Sequence, residues 1–348
     1  MKMRKWGIAA VILLMIAVLV LYPLDMYISR PGGAYDLAPL VEVVGGDTDD
    51  VGTFSLMTIA IGKATPVTYA WSKISDKMKL LPATQVRRHG ESDAEYGVRQ
   101  KKLMADSKIH AISVAFEKAG LPITRKFTGV FVAGVLPAGA SAGKLEVGDI
   151  IQSIDQLKLA SAEEFMQEFG DMHEGQKVHL QVERGKQKLD VPVELKELPE
   201  TDGRVGLGIE FEEQIKLETE PKVDIRTEEI GGPSAGLMFT LELMNRLVDV
   251  DLTKGYNIAG TGEMLEDGSV GRIGGIDFKI MAADRQDMEI FFAPDDELPE
   301  EVKKKNPQLL SNYEEAKATA DKIGTKMKVV PVKTIDDALS YLEKLEEK

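Results

Sequence analysis

The chain has 348 residues, with 43 basic and 57 acidic side chains and a formal net charge of −14. That acidic balance argues against nonspecific nucleic-acid binding, and the length allows two domains beyond a targeting segment. The absence of cysteine excludes a disulfide framework, thiolate metal sites and a cysteine nucleophile, while His89, His110, His173 and His179 lack the HExxH spacing of a metalloprotease.

Lys2, Arg4 and Lys5 precede an uncharged, Ile/Leu/Val-rich run from Trp6 to Leu24, long enough for a bilayer core of ~30 Å. A cleaved signal peptide is the competing reading. Its apolar region is usually about 7–15 residues, and VLVLYPL offers no Ala-x-Ala-like cut site. The expectation is an N-terminal transmembrane helix within residues 1–28, an uncleaved signal anchor. Its positive end stays cytoplasmic, which makes the chain a single-pass cell-membrane protein with an extracytoplasmic catalytic part. Arg30-Pro31-Gly32-Gly33 then breaks the helix.

Leu40–Val44 and Phe54–Ile61 read as two strands around the polar turn GGDTDDVG. Residues 70–102 read as helical pieces with a loop near Arg87–Ser92. Met104–Ala119 is a clearer helix, with Ile109, Ile112 and Phe116 on one face and Gly120-Leu121-Pro122 ending it. Next come a strand at Val130–Val135, a short helix at Ala140–Leu145, a strand at Ile150–Ile154 and a helix at Ala162–Phe169. The strands VHLQVER and KLDVPVEL close this β-rich segment. Its element order and the pattern LxxGDxIxxI from Leu145 to Ile154 resemble a bacterial PDZ domain of the circularly permuted kind, over residues 126–198. Such a module takes an extended partner as an added strand. On that resemblance the peptide-binding residues are Thr128, Gly129, Val130, Phe131 and Val132, a turn and an edge strand. The competing reading is a β module that only spaces domains.

ELPETDGR is a charged linker, and Val205–Phe211 and Lys222–Arg226 are strands leading to Gly231-Gly232-Pro233-Ser234. Leu237, Met238, Leu241, Met244 and Leu247 recur at helical spacing directly after Ser234. Ser234 therefore lies at a helix N-terminus, where backbone N–H groups can hold an oxyanion. The bland alternative makes it an N-cap. Tyr256–Thr261 is a strand, followed by a hairpin at Glu266-Asp267-Gly268. Ile276, Ile280 and Ala283 mark one face of a short helix, and Lys279 falls on that same face. A lysine drawn toward a core loses its charge readily and can act as a general base, unless it snorkels out. Met288–Ala293 and Met327–Val332 are strands alternating with helices, and Thr334-x-x-Asp337 has capping-box spacing before the last helix.

GGPSAG, the TGE of Thr261–Glu263 and GRIGGIDFKIMAA resemble the proteolytic domain of Lon proteases. The resemblance implies Ser234 as nucleophile, Lys279 as general base and Thr261 as the hydroxyl that supports the lysine. It also places Gly231 and Gly232 in the oxyanion turn. The A-type Lon pattern has an acidic residue where Gly231 stands. The strand, strand, helix order upstream and the strings FFAPDDELPEEV and VKTIDDALSYL are also similar to Lon proteolytic domains. Residues 35–122 and 203–348 are then one α/β (α+β) domain interrupted by the PDZ insert, with a separate membrane-proximal domain as the alternative.

GPSAG also fits the nucleophile elbow of α/β-hydrolases, but that fold needs a histidine after the serine, and none follows Ser234. A Ser–Lys pair needs none. No GxxxxGK[ST] occurs, and Gly62-Lys63-Ala64-Thr65 has alanine at the metal-binding hydroxyl position, so no ATP is expected. Anchor, PDZ insert and Lon-like end together resemble the SepM/YlbL-type membrane-anchored serine proteases of Gram-positive bacteria. That resemblance implies an endopeptidase without metal or cofactor, acting on extracytoplasmic peptides or small membrane and exported proteins. The alternative is an inactive membrane-tethered peptide-binding adaptor.

Overall fold

The computed structural model describes residues 2–48, 51–198, 203–227 and 230–348. Asp49 and Asp50 of the polar turn and residues 199–202 of the ELPETDGR linker lie outside the described residues. Two compact units result. One comprises Met1–Ser92, Leu103–Gly120 and Val223–Lys348, and the other Asp93–Lys102 and Leu121–Lys222.

In the first unit a six-stranded sheet runs in the order Lys328–Val332, Ile290–Pro294, Asn257–Gly260, Thr53–Lys63, Met26–Asp36, Lys79–Pro82. The first four strands are parallel and the last two pairings antiparallel. Apolar side chains alternate between its faces. Phe54, Leu56, Ile258 and Phe292 pack with the helices Gly236–Leu247 and Ile335–Glu343. Met57, Ala259, Phe291 and Ala293 pack with Ile276–Asp284 and Asn312–Ile323. An interior strand covered on both faces is buried along its whole length, which is why IFFAP reads as an unbroken apolar run. The Thr334–Asp337 capping box forms as its spacing predicts.

Several sequence expectations are corrected here. The helix Lys2–Leu21 ends before the apolar run does, because the Leu24 N–H donates to the Ala64 carbonyl and ties that residue to the unit. Trp6–Leu21 spans about 24 Å at the helical rise, short of a ~30 Å core. No helix among the described residues is long and apolar enough to cross a membrane. This overturns the transmembrane signal anchor and the single-pass cell-membrane localisation, and it removes the basis for expecting an extracytoplasmic catalytic part.

Arg30-Pro31-Gly32-Gly33 does not end an element either. It lies inside the strand Met26–Asp36, at a bulge between Pro31 and Ala34 where proline and glycine are tolerated. A Cβ on Gly32 would stand 2.4 Å from Thr58 Oγ1, so only glycine fits. The helical reading of 70–102 misses the strand Lys79–Pro82, which pairs with Met26–Ser29. One helix then runs unbroken over Asp93–Lys118.

The second unit is an antiparallel sheet ordered Ile209–Thr219, Ile123–Val135, Ile150–Ile154, Lys177–Arg184, Gln187–Glu194, over its own apolar core. Ala140–Leu145 forms turns rather than a helix, because Gly143 adopts φ +71°, a left-handed conformation that a right-handed helix cannot continue through. The strand carrying Thr128–Val132 is not an edge. Val130 and Phe131 face Ile151 and Ile150 on one side and Glu213 and Glu212 on the other. Its hydrogen-bonding groups are already committed to two neighbours, so no further strand can add there. Ile209–Thr219, which the sequence reading ends at Phe211, is the outer strand instead.

Candidate active site

Ser234 enters the site from one face of the first unit's sheet. Its turn leads into the helix Gly236–Leu247, in which every residue from Gly236 to Arg246 is buried, including the Glu242–Arg246 ion pair at 2.7 Å. A helix buried on every side, with its polar side chains included, is fixed within a core, so the turn before it is held rigidly. Ala235, not Ser234, occupies the N-cap position, and no side chain caps the helix. The Ser234 hydroxyl is therefore not consumed as a cap. Gly232 adopts φ +88°, and the N–H groups of Gly231, Gly232, Ser234 and Ala235 have no acceptor among the described residues. Open backbone donors beside a hydroxyl are able to hold a developing oxyanion.

Lys279 enters from the opposite face, on the helix Ile276–Asp284, and is only 2% exposed. Thr261 follows the C-terminal end of the central strand Asn257–Gly260, the crevice position where α/β sheets place their ligand sites. The three meet there. Lys279 Nζ lies 2.7 Å from Ser234 Oγ and 2.8 Å from Thr261 Oγ1. The Thr261 hydroxyl donates to the Ser234 carbonyl at 2.9 Å, so its single proton is committed and its oxygen can only accept from the lysine. The Gly262 N–H donates to the same carbonyl at 2.9 Å, and the Leu237 N–H to the Gly262 carbonyl at 3.1 Å.

Burial, with no carboxylate paired to it among the described residues, disfavours the ammonium form and lowers the Lys279 pKa from 10.5 to about 7. A neutral amine has one lone pair. With one N–H directed at Thr261, that lone pair can face the Ser234 hydroxyl. The arrangement can strip the serine of its proton near neutral pH. Thr261→Val removes the acceptor that turns one N–H of the amine away from Ser234 while keeping the side-chain volume, and kcat falls by about ten- to a hundredfold. Thr261→Ser restores most of it, and steady-state rates on one peptide read both.

Two neighbours were not singled out from sequence. Ser107 is 2% exposed and donates to the Pro233 carbonyl at 3.0 Å, and the His110 Nδ1 lies 3.0 Å from the Met264 carbonyl. Ser107 stands on the buried stripe Met104, Ala111, Val114, Ala115, and a polar residue on an apolar stripe is the signal that could have found it. Among the described residues no cluster of His, Asp or Glu is arranged to hold a metal ion.

Thr128–Val132 lie in the second unit. A groove there runs between the helix Ala162–Gln167 and the start of the outer strand, in a space of about 520 Å³ lined by Leu136, Phe165, Met166, Phe169, Leu207 and Phe211. The turn Gly206-Leu207-Gly208 also lines it. Gly208 has φ +71°, and a Cβ on it would stand 2.5 Å from Gly139 Cα.

Residues 228–343 match the family model of the Lon protease (S16) C-terminal proteolytic domain, and residues 98–195 match that of the PDZ domain. A curated relative, the Lon protease of Malacoplasma penetrans (strain HF-2), is 31% identical over 137 residues. That match covers 35% of this chain but only 17% of the relative's length. Among solved structures, the PDZ domain of an SdrC-like protein from Listeria monocytogenes is 26% identical, covering 24% of this chain and 88% of that one, with a TM-score of 0.24. A protein from Geobacillus thermodenitrificans is 30% identical, covering 24% and 95%, with a TM-score of 0.22. The chain thus carries a Lon-type proteolytic domain together with a PDZ domain.

Proposed function

We propose that this protein is an ATP-independent serine endopeptidase with a Ser234–Lys279 dyad, acting on peptides and flexible protein segments that its PDZ domain captures. The observation that carries the reading is the buried, depressed-pKa amine of Lys279 at 2.7 Å from Ser234 Oγ. Neutral Lys279 takes the Ser234 proton as Oγ attacks the scissile carbonyl. The tetrahedral oxyanion is held by the open N–H groups of the serine turn. Lys279 then returns the proton to the leaving amine, and water releases the acyl-enzyme by the reverse path. Thr261 keeps the amine aimed throughout. In this reading the first unit, which resumes at Val223, carries the proteolytic domain, and the PDZ domain, with Ile209–Thr219 as its outer strand, is the insert.

No Walker-type loop is present in this sequence, so substrates must reach the dyad already extended. Capture is assigned to the outer strand Ile209–Thr219, whose free edge can take an extended segment while the apolar groove beside it receives a side chain. Met166 is 55% exposed at that groove. Met166→Glu leaves the fold intact and raises KM for captured peptides about tenfold with kcat unchanged. An unchanged KM removes the groove from the mechanism.

The deciding experiment incubates the full chain with peptide mixtures and reads cut sites by mass, beside Ser234→Ala and Lys279→Ala. Cleavage by the parent chain alone supports the peptidase. Peptide binding without cleavage in all three proteins would make it an adaptor.

A further inference from the structure

Ser107 donates its hydroxyl hydrogen to the Pro233 carbonyl, across 126 positions of sequence, at 3.0 Å. That carbonyl belongs to the peptide unit whose nitrogen is Ser234 N. The Pro233–Ser234 bond is trans, so its C=O and N–H point in opposite directions within one rigid plane. Fixing the carbonyl on the side of Ser107 therefore fixes the Ser234 N–H on the other side, where it has no acceptor among the described residues. The Gly236 N–H also reaches the Pro233 carbonyl, at 3.3 Å, but it belongs to the same turn and moves with it. Ser107 is anchored elsewhere, on the helix Asp93–Lys118, whose Met104, Ala111, Val114 and Ala115 are set in the apolar core of the first unit. A Cβ on Gly236 would stand 3.0 Å from Ser107 Oγ, so the helix and the turn are in close contact at this point.

We propose that Ser107 is a positioning residue that aims the Ser234 N–H as an oxyanion donor. This rests on Ser234 being the nucleophile. The substrate carbonyl oxygen gains full negative charge only in the tetrahedral state, so an N–H that can rock out of line weakens that state more than substrate binding. A serine on an otherwise apolar stripe would serve packing no better than alanine. Its hydroxyl is explained by the carbonyl it holds.

The test compares Ser107→Ala and Ser107→Thr with the parent chain on one peptide substrate. Ser107→Ala lowers kcat by roughly ten- to a hundredfold, less than outright loss of an oxyanion donor. KM stays within about twofold, and the pH midpoint of the rate does not move. Affinity for a peptide boronic acid, whose adduct with Ser234 is tetrahedral, falls by the same factor as kcat. Ser107→Thr, which keeps a hydroxyl, retains kcat within about threefold, and it carries the test if the alanine protein does not fold. An unchanged kcat in folded Ser107→Ala overturns the proposal, as does a lowered kcat accompanied by a shifted pH midpoint or an unchanged boronate affinity. A parent chain that neither cleaves peptides nor binds the boronate overturns the dyad itself, a distinct failure.

Discussion

Alanine at Ser234 lowers kcat/KM for peptide cleavage by roughly 10⁴- to 10⁶-fold, and methionine at Lys279 does the same, because in the proposed dyad nucleophile and base act as one unit. The double variant is no worse than either single one. For the parent chain the rate depends on pH through the base. Burial holds Lys279 near 7 rather than 10.5, so below pH 7 the amine is mostly protonated and kcat/KM drops about tenfold per pH unit. Above pH 8 it is mostly neutral and the rate levels off. Initial rates from pH 5.5 to 9.5 on a peptide without titratable side chains give the profile. A rate that is level from pH 6 to 9 removes Lys279 as the base.

Lys279→Met makes the protein more stable while it destroys activity. Lys279 has a folded pKa below its unfolded value, so between about 7 and 10.5 the unfolded chain binds a proton that the folded chain lacks. The group therefore works against folding over that window. Its penalty is complete below about pH 7 and fades as pH rises toward 10.5. At pH 7 it is about 4 kcal/mol. Replacement by methionine removes that cost and keeps the buried volume, but it leaves the hydroxyls of Ser234 and Thr261 without their amine partner, at about 1 kcal/mol each. The net gain at pH 7 is on the order of 2 kcal/mol, and it vanishes by about pH 9.5. Urea unfolding of the two proteins at both pH values measures it. A variant less stable than its parent at pH 7, or a difference independent of pH, contradicts the burial of an unpaired amine. The proposed general base is held in a state that folding alone would not select.

The part of the site legible in sequence is the part carried by short-range pattern. The turn before an apolar helix places Ser234, and helical spacing puts Lys279 on the Ile276–Ile280–Ala283 face. The run IFFAP and the Thr334–Asp337 cap are equally local. Thr261 could be named only by resemblance, since nothing local distinguishes a hydroxyl after a strand from any other.

Elements that depend on distant partners were misread or missed. The bulge at Pro31–Ala34 becomes a strand interior only because Thr58 stands beside it, and Lys79–Pro82 is a strand only because Met26–Ser29 lies open to pair. The apolar run after Trp6 looks continuous until the Leu24–Ala64 hydrogen bond divides it. Thr128–Val132 is an edge strand only by resemblance, and the pairing partner on its outer side lies about 80 residues downstream, where Glu212 and Glu213 face Phe131 and Val130. Ser107 belongs with these, since its carbonyl partner lies 126 positions away.

By itself the sequence determined which residue types stand at helix starts, on buried stripes and in turns, because propensity and periodicity act over a few residues. Only the tertiary structure decided which strand is outermost, where the apolar N-terminal helix stops, and that an amine from one face of the sheet reaches a hydroxyl from the other within 2.7 Å. The reason is physical. A periodic pattern states that a side chain will leave water, but its neighbour there, and hence its pKa and chemistry, is chosen by chain segments far away in sequence.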